Sequence, residues 1–448
     1  MAIASTPSSA AEAPVRRIAR RSVAGWVLYD LANTAFSLGI VTLYMPKMLE
    51  HVFGHGDAVV GMLDGVAAAV IFVLAPVLGA ITDQSPRRLP FLAVSTILCI
   101  TATFFLAQSS DTAVFVLFVV AVVCYQAGLI FYDSLLPEVS TDANRGRIGG
   151  IGVGVGYIGS LLAFFVGVLL LPASAPAGQP EVIPTLGDYA AVFRGIALVF
   201  LLFALPAFFF VRERRRVVPP VSWRVAPQAF GQLAQTAVHA RRYRGLAPFL
   251  LGRMFYTDAA NTLIAMVVLY VTGSLGMGDG EARQVAILSI VAAIPAGLAW
   301  GQVVDRIGPK RTLDAMLVLW MAVFAVVAAI PVLGLPPQLI YVAGVFVGIG
   351  LAGLWASDRP LMARLAPPRY YGQFFGLYAM VGRFSAVIGP VMWGVIADPS
   401  MLGWGQPAAV VFLLVWMLIA FAILRRVDDR PRVWGPEDLP ELEEGGAR

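Results

Sequence analysis

"YDLANT" at 29–34 and "TDAANT" at 257–262 are one phrase written twice, each inside a long apolar run, each with an Asp three residues ahead of an Asn. The two lie 228 residues apart. At an offset of 222, "GAITDQSPRR" (79–88) overlays "GQVVDRIGPKR" (301–311), and at 225 "AGLIFYDS" (127–134) overlays "AGLWASDR" (352–359). Three matches in one order and at nearly one offset describe a chain built of two equivalent halves. The reading divides it into an N-terminal tail (1–22), a first bundle (23–211), a basic linker (212–246), a second bundle (247–425) and an acidic tail (426–448).

The solvent for those halves follows from composition. Of 448 residues, 59% are hydrophobic and 13% charged, with mean hydropathy +0.79. Soluble domains carry about 25% charged residues. About 20 apolar residues span a bilayer as a helix. Twelve such stretches are expected, near 23–47, 58–82, 89–108, 112–137, 147–172, 189–211, 247–273, 284–304, 312–332, 338–364, 373–397 and 407–425. Helices satisfy their own backbone in hydrocarbon, which isolated strands cannot. The fold class is an all-α membrane protein, twelve transmembrane helices arranged as two pseudo-symmetric six-helix bundles.

Arg and Lys set the expected orientation. Twenty-six of the 32 fall in the tails and in alternate loops, and only Lys47 and Arg283 fall in loops on the other side. Basic residues stay inside, so both termini belong in the cytoplasm; the membrane is expected to be a bacterial inner membrane. The net charge of +5 is then topological and does not point to nucleic acid. The basic start of the chain continues into Asp30 and Asn33 without a small-residue cleavage site, as a retained first helix would.

Repeated halves of this kind occur in transporters that rock about a site at the bilayer midplane. The loop with Gly, a spaced Asp and basic residues, present at 79–88 and again at 301–311, resembles the signature loop of the major facilitator superfamily. "WVLYDLANTAFS" (26–37), "FYDSLLPEVS" (131–140), "GYIGSLL" (156–162), "FYTDAANTLI" (255–264) and "GQFFGLYAMVGRFSAVIGP" (372–390) are similar to the autophagy-related vacuolar amino-acid effluxer family and its bacterial relatives. The resemblance covers roughly 25–400. It departs at Asp133, where Asn is expected, at Arg383, where Lys is expected, and around Arg359.

A charge at the bilayer centre costs on the order of 3 kcal/mol or more, so it needs a partner or water. Asp30, Asn33, Ser37, Val41 and Tyr44 share one face of the first helix by their 3-4-4-3 spacing. Asp258 and Asn261 begin the equivalent line in the seventh. The resemblance implies that these helices line a central cavity, so both acids are expected in one hydrated hollow. Asp30 or Asp258 would carry a coupling proton or an ammonium group. Arg383 would hold a carboxylate, and Tyr29 and Tyr256 would add hydroxyls. Arg253 is expected to snorkel to the headgroups, the alternative being an acid on another helix. Asp64 is left without a role.

A second set lies near the basic ends of the helices. Asp83 and Asp305 resemble the superfamily's loop aspartates, and Glu138 with Arg145 resembles its pattern after the fourth helix. With Arg87, Asp133, Arg311, Asp358 and Arg359 they are expected to form a cytoplasmic gate. Other signals point nowhere. "GGIGVGVGYIG" (149–159) follows no strand and reads as close helix packing. His51 and His55, beside Asp57, lack a third firm metal ligand. Three His, two Cys and no nucleophile with a base argue against an enzyme, a metal site or a cofactor.

The expected function is secondary transport by alternating access, with proton-coupled export of an amino acid or similar zwitterion. The partners are membrane lipids, a small-molecule substrate and protons, with a monomer as the working unit. Sugar–cation symport, with Asp30 and Asp64 holding sodium, is the first alternative; lipid or lysolipid movement is another. A non-transporting membrane sensor or scaffold would come from a different class.

Overall fold

The computed structural model describes residues 18–55, 57–172, 182–214, 243 and 245–430. Most of the basic linker and the larger parts of both tails lie outside the described residues. Among the described residues, twelve apolar helices carry the chain: α1 (Arg20–Phe53), α2 (Asp57–Asp83), α3 (Leu89–Phe104), α4 (Asp111–Ser134), α5 (Arg145–Leu170), α6 (Leu186–Phe210), α7 (Leu246–Gly273), α8 (Asp279–Ile307), α9 (Pro309–Val332), α10 (Leu339–Leu365), α11 (Tyr371–Ala397) and α12 (Gly405–Leu424). Eleven are long and apolar enough to cross a bilayer by length and composition.

Two helices differ from expectation. The apolar pattern extends α3 to 108, yet the helix stops at Phe104, before Gln108 and the Ser-Ser-Asp that starts α4. Its 16 residues span about 24 Å. In α1 the expected helix widens into a π-helical stretch, Ser37–Tyr44, with Thr42 Oγ1 donating to the Ser37 carbonyl (3.2 Å). Extra residues per turn rotate the segment beyond Asp30 and Asn33 relative to the segment before it.

Each half builds its own apolar core. One gathers buried residues from Trp26 to Val211, the other from Tyr243 to Val427. Packing follows the same scheme in both. Helix α1 lies against α5 and α6 as α7 lies against α11 and α12; α4 contacts α2 and α3 as α10 contacts α8 and α9. The outer surface stays apolar, as at Leu169 (79% exposed) and Phe209 (76%), which suits acyl chains better than water.

The bundles meet along α5–α8 and α2–α11. Both contacts are tightest near the face carrying the start of α1 and the end of α12, here the terminal face. A methyl added at Gly150 would sit 2.5 Å from the Gly297 carbonyl oxygen, and one at Gly79 would sit 2.5 Å from that of Gly372. Backbones that close leave no room for a side chain. Toward the far face α2 is open, with nothing within 4 Å of a methyl at Gly61 or Gly65.

Gly150→Val therefore forces α5 and α8 apart at the terminal face, at an overpacking cost of about 1–3 kcal/mol. In a protein with Cys99 and Cys124 replaced by Ala, a cysteine introduced at the buried Val304 is expected to react about tenfold faster with a soluble maleimide when Gly150 is Val. Unchanged reactivity would show that the contact yields without opening.

Candidate functional site

Asp358 and Arg359 are neighbours on α10, so they point about 100° apart. Asp358 turns into its own bundle and is fully buried. Arg253 of α7 meets its carboxylate (Nε to Oδ2, 3.1 Å), and the hydroxyls of Tyr256 and Tyr378 donate to its two oxygens (2.7 Å each). Arg253 also donates to the Tyr378 carbonyl (2.9 Å) and lies 3.5 Å from that ring's centroid. The snorkelling expected of Arg253 does not occur, because α10 brings a carboxylate to it at depth. Tyr256 serves this same cluster.

Arg359 crosses to the other bundle. Its Nη1 lies 3.3 Å from Asp30 Oδ2 and its Nε 3.0 Å from Asp133 Oδ1. All three side chains are at most 15% exposed. One guanidinium thus serves two acids of the opposite bundle. Beside it, Tyr132 stacks on Trp26 (centroids 4.5 Å apart) and on Tyr29 (5.1 Å). The Tyr29 hydroxyl is engaged within its own bundle by Thr96 Oγ1 (2.6 Å).

Two further carboxylates join the bundles through backbone. Asp83, at the end of α2, accepts from the N–H groups of Gly372 (2.8 Å) and Gln373 (2.7 Å) where α11 begins. Asp305, near the end of α8, accepts from Gly146 (2.7 Å) and Arg147 (3.0 Å) where α5 begins. An anion at a helix start meets free N–H groups and the positive end of the macrodipole. The two latches occupy equivalent places in the repeat.

The remaining expected gate residues divide. Arg87 and Arg311 are exposed, and the buried basic positions are Arg88 and Lys310. Arg88 reaches Asp83 (3.2 Å) and the Ser134 carbonyl (2.7 Å); Lys310 reaches Asp314 (2.6 Å). The strict 222-residue offset aligns Arg88 with Lys310, a signal that the shared Pro and basic letters obscured. Arg145 pairs with Asp142 (2.7 Å), and Glu138 is half-buried in the one-turn helix Leu136–Val139.

The phrase repeated at Asp30 and Asp258 leads to different surroundings. Asp258 accepts from the Gly389 N–H of α11 and Trp416 Nε1 of α12 (2.9 Å each), inside the second bundle. It shares no partner with Asp30, contrary to the expectation of one hollow. Asn33 is buried and neither amide atom has a hydrogen bond among the described residues; Asn261 is half-buried. Arg383 and Asp64 are half-buried on α11 and α2. His51 and His55 turn to separate partners, Tyr189 and Asp111 (2.9 Å each). Sequence reasoning missed Trp416 and did not name the partner of Arg253, since contacts between distant helices leave no local pattern.

Breaking one partner of a buried pair costs about 3–5 kcal/mol, and a hydrogen bond to a charge about 1.5–3 kcal/mol. Arg253→Met is therefore expected to lower the thermal midpoint of detergent-solubilised protein more than Tyr256→Phe does. Equal stability of Arg253→Met and the unsubstituted protein would remove Arg253 from the framework.

Residues 55–431 match the family described as "Vacuole effluxer Atg22 like". The uncharacterized MFS-type transporter YxiO of Bacillus subtilis is 27% identical over 416 residues, 90% of this chain and 94% of that one. Autophagy-related protein 22-1 of Penicillium rubens is 26% identical over 302 residues, 63% of this chain and 49% of its own. This chain therefore spans about half of that fungal relative. Among solved structures, the human organic anion transporter MFSD10 superposes with a TM-score of 0.70 at 13% identity, covering 90% of this chain and 99% of that one. A bacterial homologue of the iron transporter ferroportin, in an outward-facing state, gives 0.69 at 15%, covering 92% and 99%. These are transporters, not enzymes. The twelve helices, the two-bundle repeat and the match over most of the chain make this protein a member of the Atg22-like vacuole effluxer family, within the major facilitator transporters.

Proposed function

We propose that the protein is a secondary active transporter that exports a small solute, best fitted by an amino acid or similar zwitterion, in exchange for protons. The observation that carries the reading is the single guanidinium of Arg359 shared between Asp30 and Asp133 across the two bundles. It ties transport geometry to charge. A proton on Asp30 leaves Arg359 with Asp133 alone, weakening the attraction between the bundles near the terminal face. The latches at Asp83 and Asp305 can then release, because each consists of two hydrogen bonds to a helix start.

The excess of Arg and Lys supports a terminal face, with both termini, on the cytoplasmic side. In that orientation the close helix contacts at Gly79 and Gly150 support a state closed on the inner side. A proton arriving from outside reaches Asp30, the inner face opens, the proton leaves and the solute enters. Loss of the proton restores the Arg359 bridge and turns the solute outward. The pathway lies between bundles of one chain, so a monomer suffices. The family's description as effluxers supports the direction. Engagement of Asp30 by Arg359 weighs against a sodium site shared by Asp30 and Asp64.

In proteoliposomes, an acidic exterior is expected to accelerate loss of preloaded amino acid from molecules oriented as in the cell. Asp30→Asn should lose that pH-gradient dependence while keeping solute exchange, and Arg359→Gln should slow both. Gradient-driven efflux that survives in both Asp30→Asn and Asp133→Asn would rule out the coupling assignment.

A further inference from the structure

Arg383 stands apart from the other basic side chains at membrane depth. Arg253 is matched by Asp358, Arg359 by Asp30 and Asp133, Arg88 by Asp83. Arg194, eight residues into α6, lies over the Phe104 ring. Arg383, midway along α11, makes no ion pair or hydrogen bond among the described residues. Asp64 on α2 is in the same condition.

They stand on helices that pack together, α11 lying against both α2 and α4. Gly79 meets Gly372 and Ala75 meets Gly376, an antiparallel register that sets Arg383 opposite position 68. Asp64 then lies one turn, about 6 Å, nearer the far face. Electrostatically, Arg383 is coupled most to Tyr125 of α4 and next to Asp64. Tyr125 packs on Phe36 of α1 (ring centroids 5.0 Å apart), three residues from Asn33, whose buried amide has no hydrogen bond among the described residues. Arg383 itself lies about 18 Å from the terminal end of α11.

We infer that Arg383 is the receptor for an anionic group of carboxylate type, held between α2, α4 and α11, with Asp64 as the resident counter-charge that competes for it. A cation in an apolar wall is costly without an anion, and Asp64 is too far to form the pair directly. The planar guanidinium matches a carboxylate through two parallel N–H groups, which a lysine ammonium does not. The nearby negative charge of Asp64 disfavours a dianion such as phosphate and selects a monoanion. The site deepens the transport reading and rests on it only in taking the anion as part of the solute.

The test measures thermal unfolding of the purified full-length protein in nanodiscs against isovalerate, isobutylamine and L-valine. These probes share one apolar chain and carry a carboxylate, an ammonium or both. Isovalerate and valine are expected to raise the midpoint, and isobutylamine is not. In Arg383→Gln the apparent affinity for isovalerate should fall at least about tenfold, with Arg383→Lys between. Asp64→Asn should tighten it by about two- to threefold, a gain that misfolding cannot imitate. Absence of any carboxylate effect, an equal effect in Arg383→Gln, or no gain in Asp64→Asn would overturn the site. Proton-driven flux that persists in Arg383→Gln would sink this inference alone. Carboxylate binding with no flux in liposomes would sink the transport reading alone.

Discussion

A charge carried into hydrocarbon has to be matched by another charge, and α10 is where this chain meets that demand. Asp358 and Arg359 stand side by side, one satisfied within its bundle and the other by two acids of the opposite bundle. The first pair is structural. Asp358 accepts from Arg253, Tyr256 and Tyr378, and a carboxylate so fully used holds α7, α10 and α11 together. The second is adjustable, because two acids share one cation. Rotating α10 by one residue would exchange these roles and bury an unmatched charge, so the rotation of this helix is fixed on both sides.

The joints between the bundles are of two kinds. At the terminal edge, Asp83 and Asp305 hold helix starts through backbone N–H groups, in symmetric places, with glycines letting the helices touch. Deeper in, the Arg359 bridge is asymmetric. The latch acids meet uncharged backbone donors, so each latch fixes where a helix start sits without needing a cation. The bridge sets two acids on one cation, so the charges themselves hold it. One face is thus closed by geometry at its edge and by charge at depth.

Much of the fold was legible because hydropathy and the basic loops report membrane crossings directly. Most helix boundaries lie within a few residues of expectation, α8 running five residues earlier. The shortened α3 and the π-helical stretch in α1 were not, since both depend on how neighbouring helices meet. The latch aspartates were legible from the repeated loop, whereas Arg88 and Lys310 needed the strict offset. Side-chain direction was the weak link. A 3-4 spacing places Asp30 and Asn33 on one face of α1, but it cannot tell which neighbour that face meets. The expectation for Arg253 failed for that reason, its partner standing 105 residues away.

The different fates of Asp30 and Asp258 follow from one broken element of the repeat. At the 225-residue offset Asp133 aligns with Asp358, but Arg359 aligns with Ser134. Ser134 spends its hydroxyl on the Phe131 carbonyl (2.7 Å) and offers no charge across the interface. Among the described residues Asp258 therefore meets no cation of the first bundle and turns inward to Gly389 and Trp416. At the 228-residue offset Arg253 aligns with Gly25, where a methyl would lie 2.7 Å from the Pro206 carbonyl oxygen, so the first bundle has no space for a matching arginine. Both arginines of the Asp133–Asp358 repeat consequently belong to the second bundle. At this bridge the first bundle supplies the acids Asp30 and Asp133 and the second supplies the cation Arg359. A symmetric copy there would set like charges against each other, whereas the symmetric latches at Asp83 and Asp305 close the face on backbone N–H groups that carry no charge.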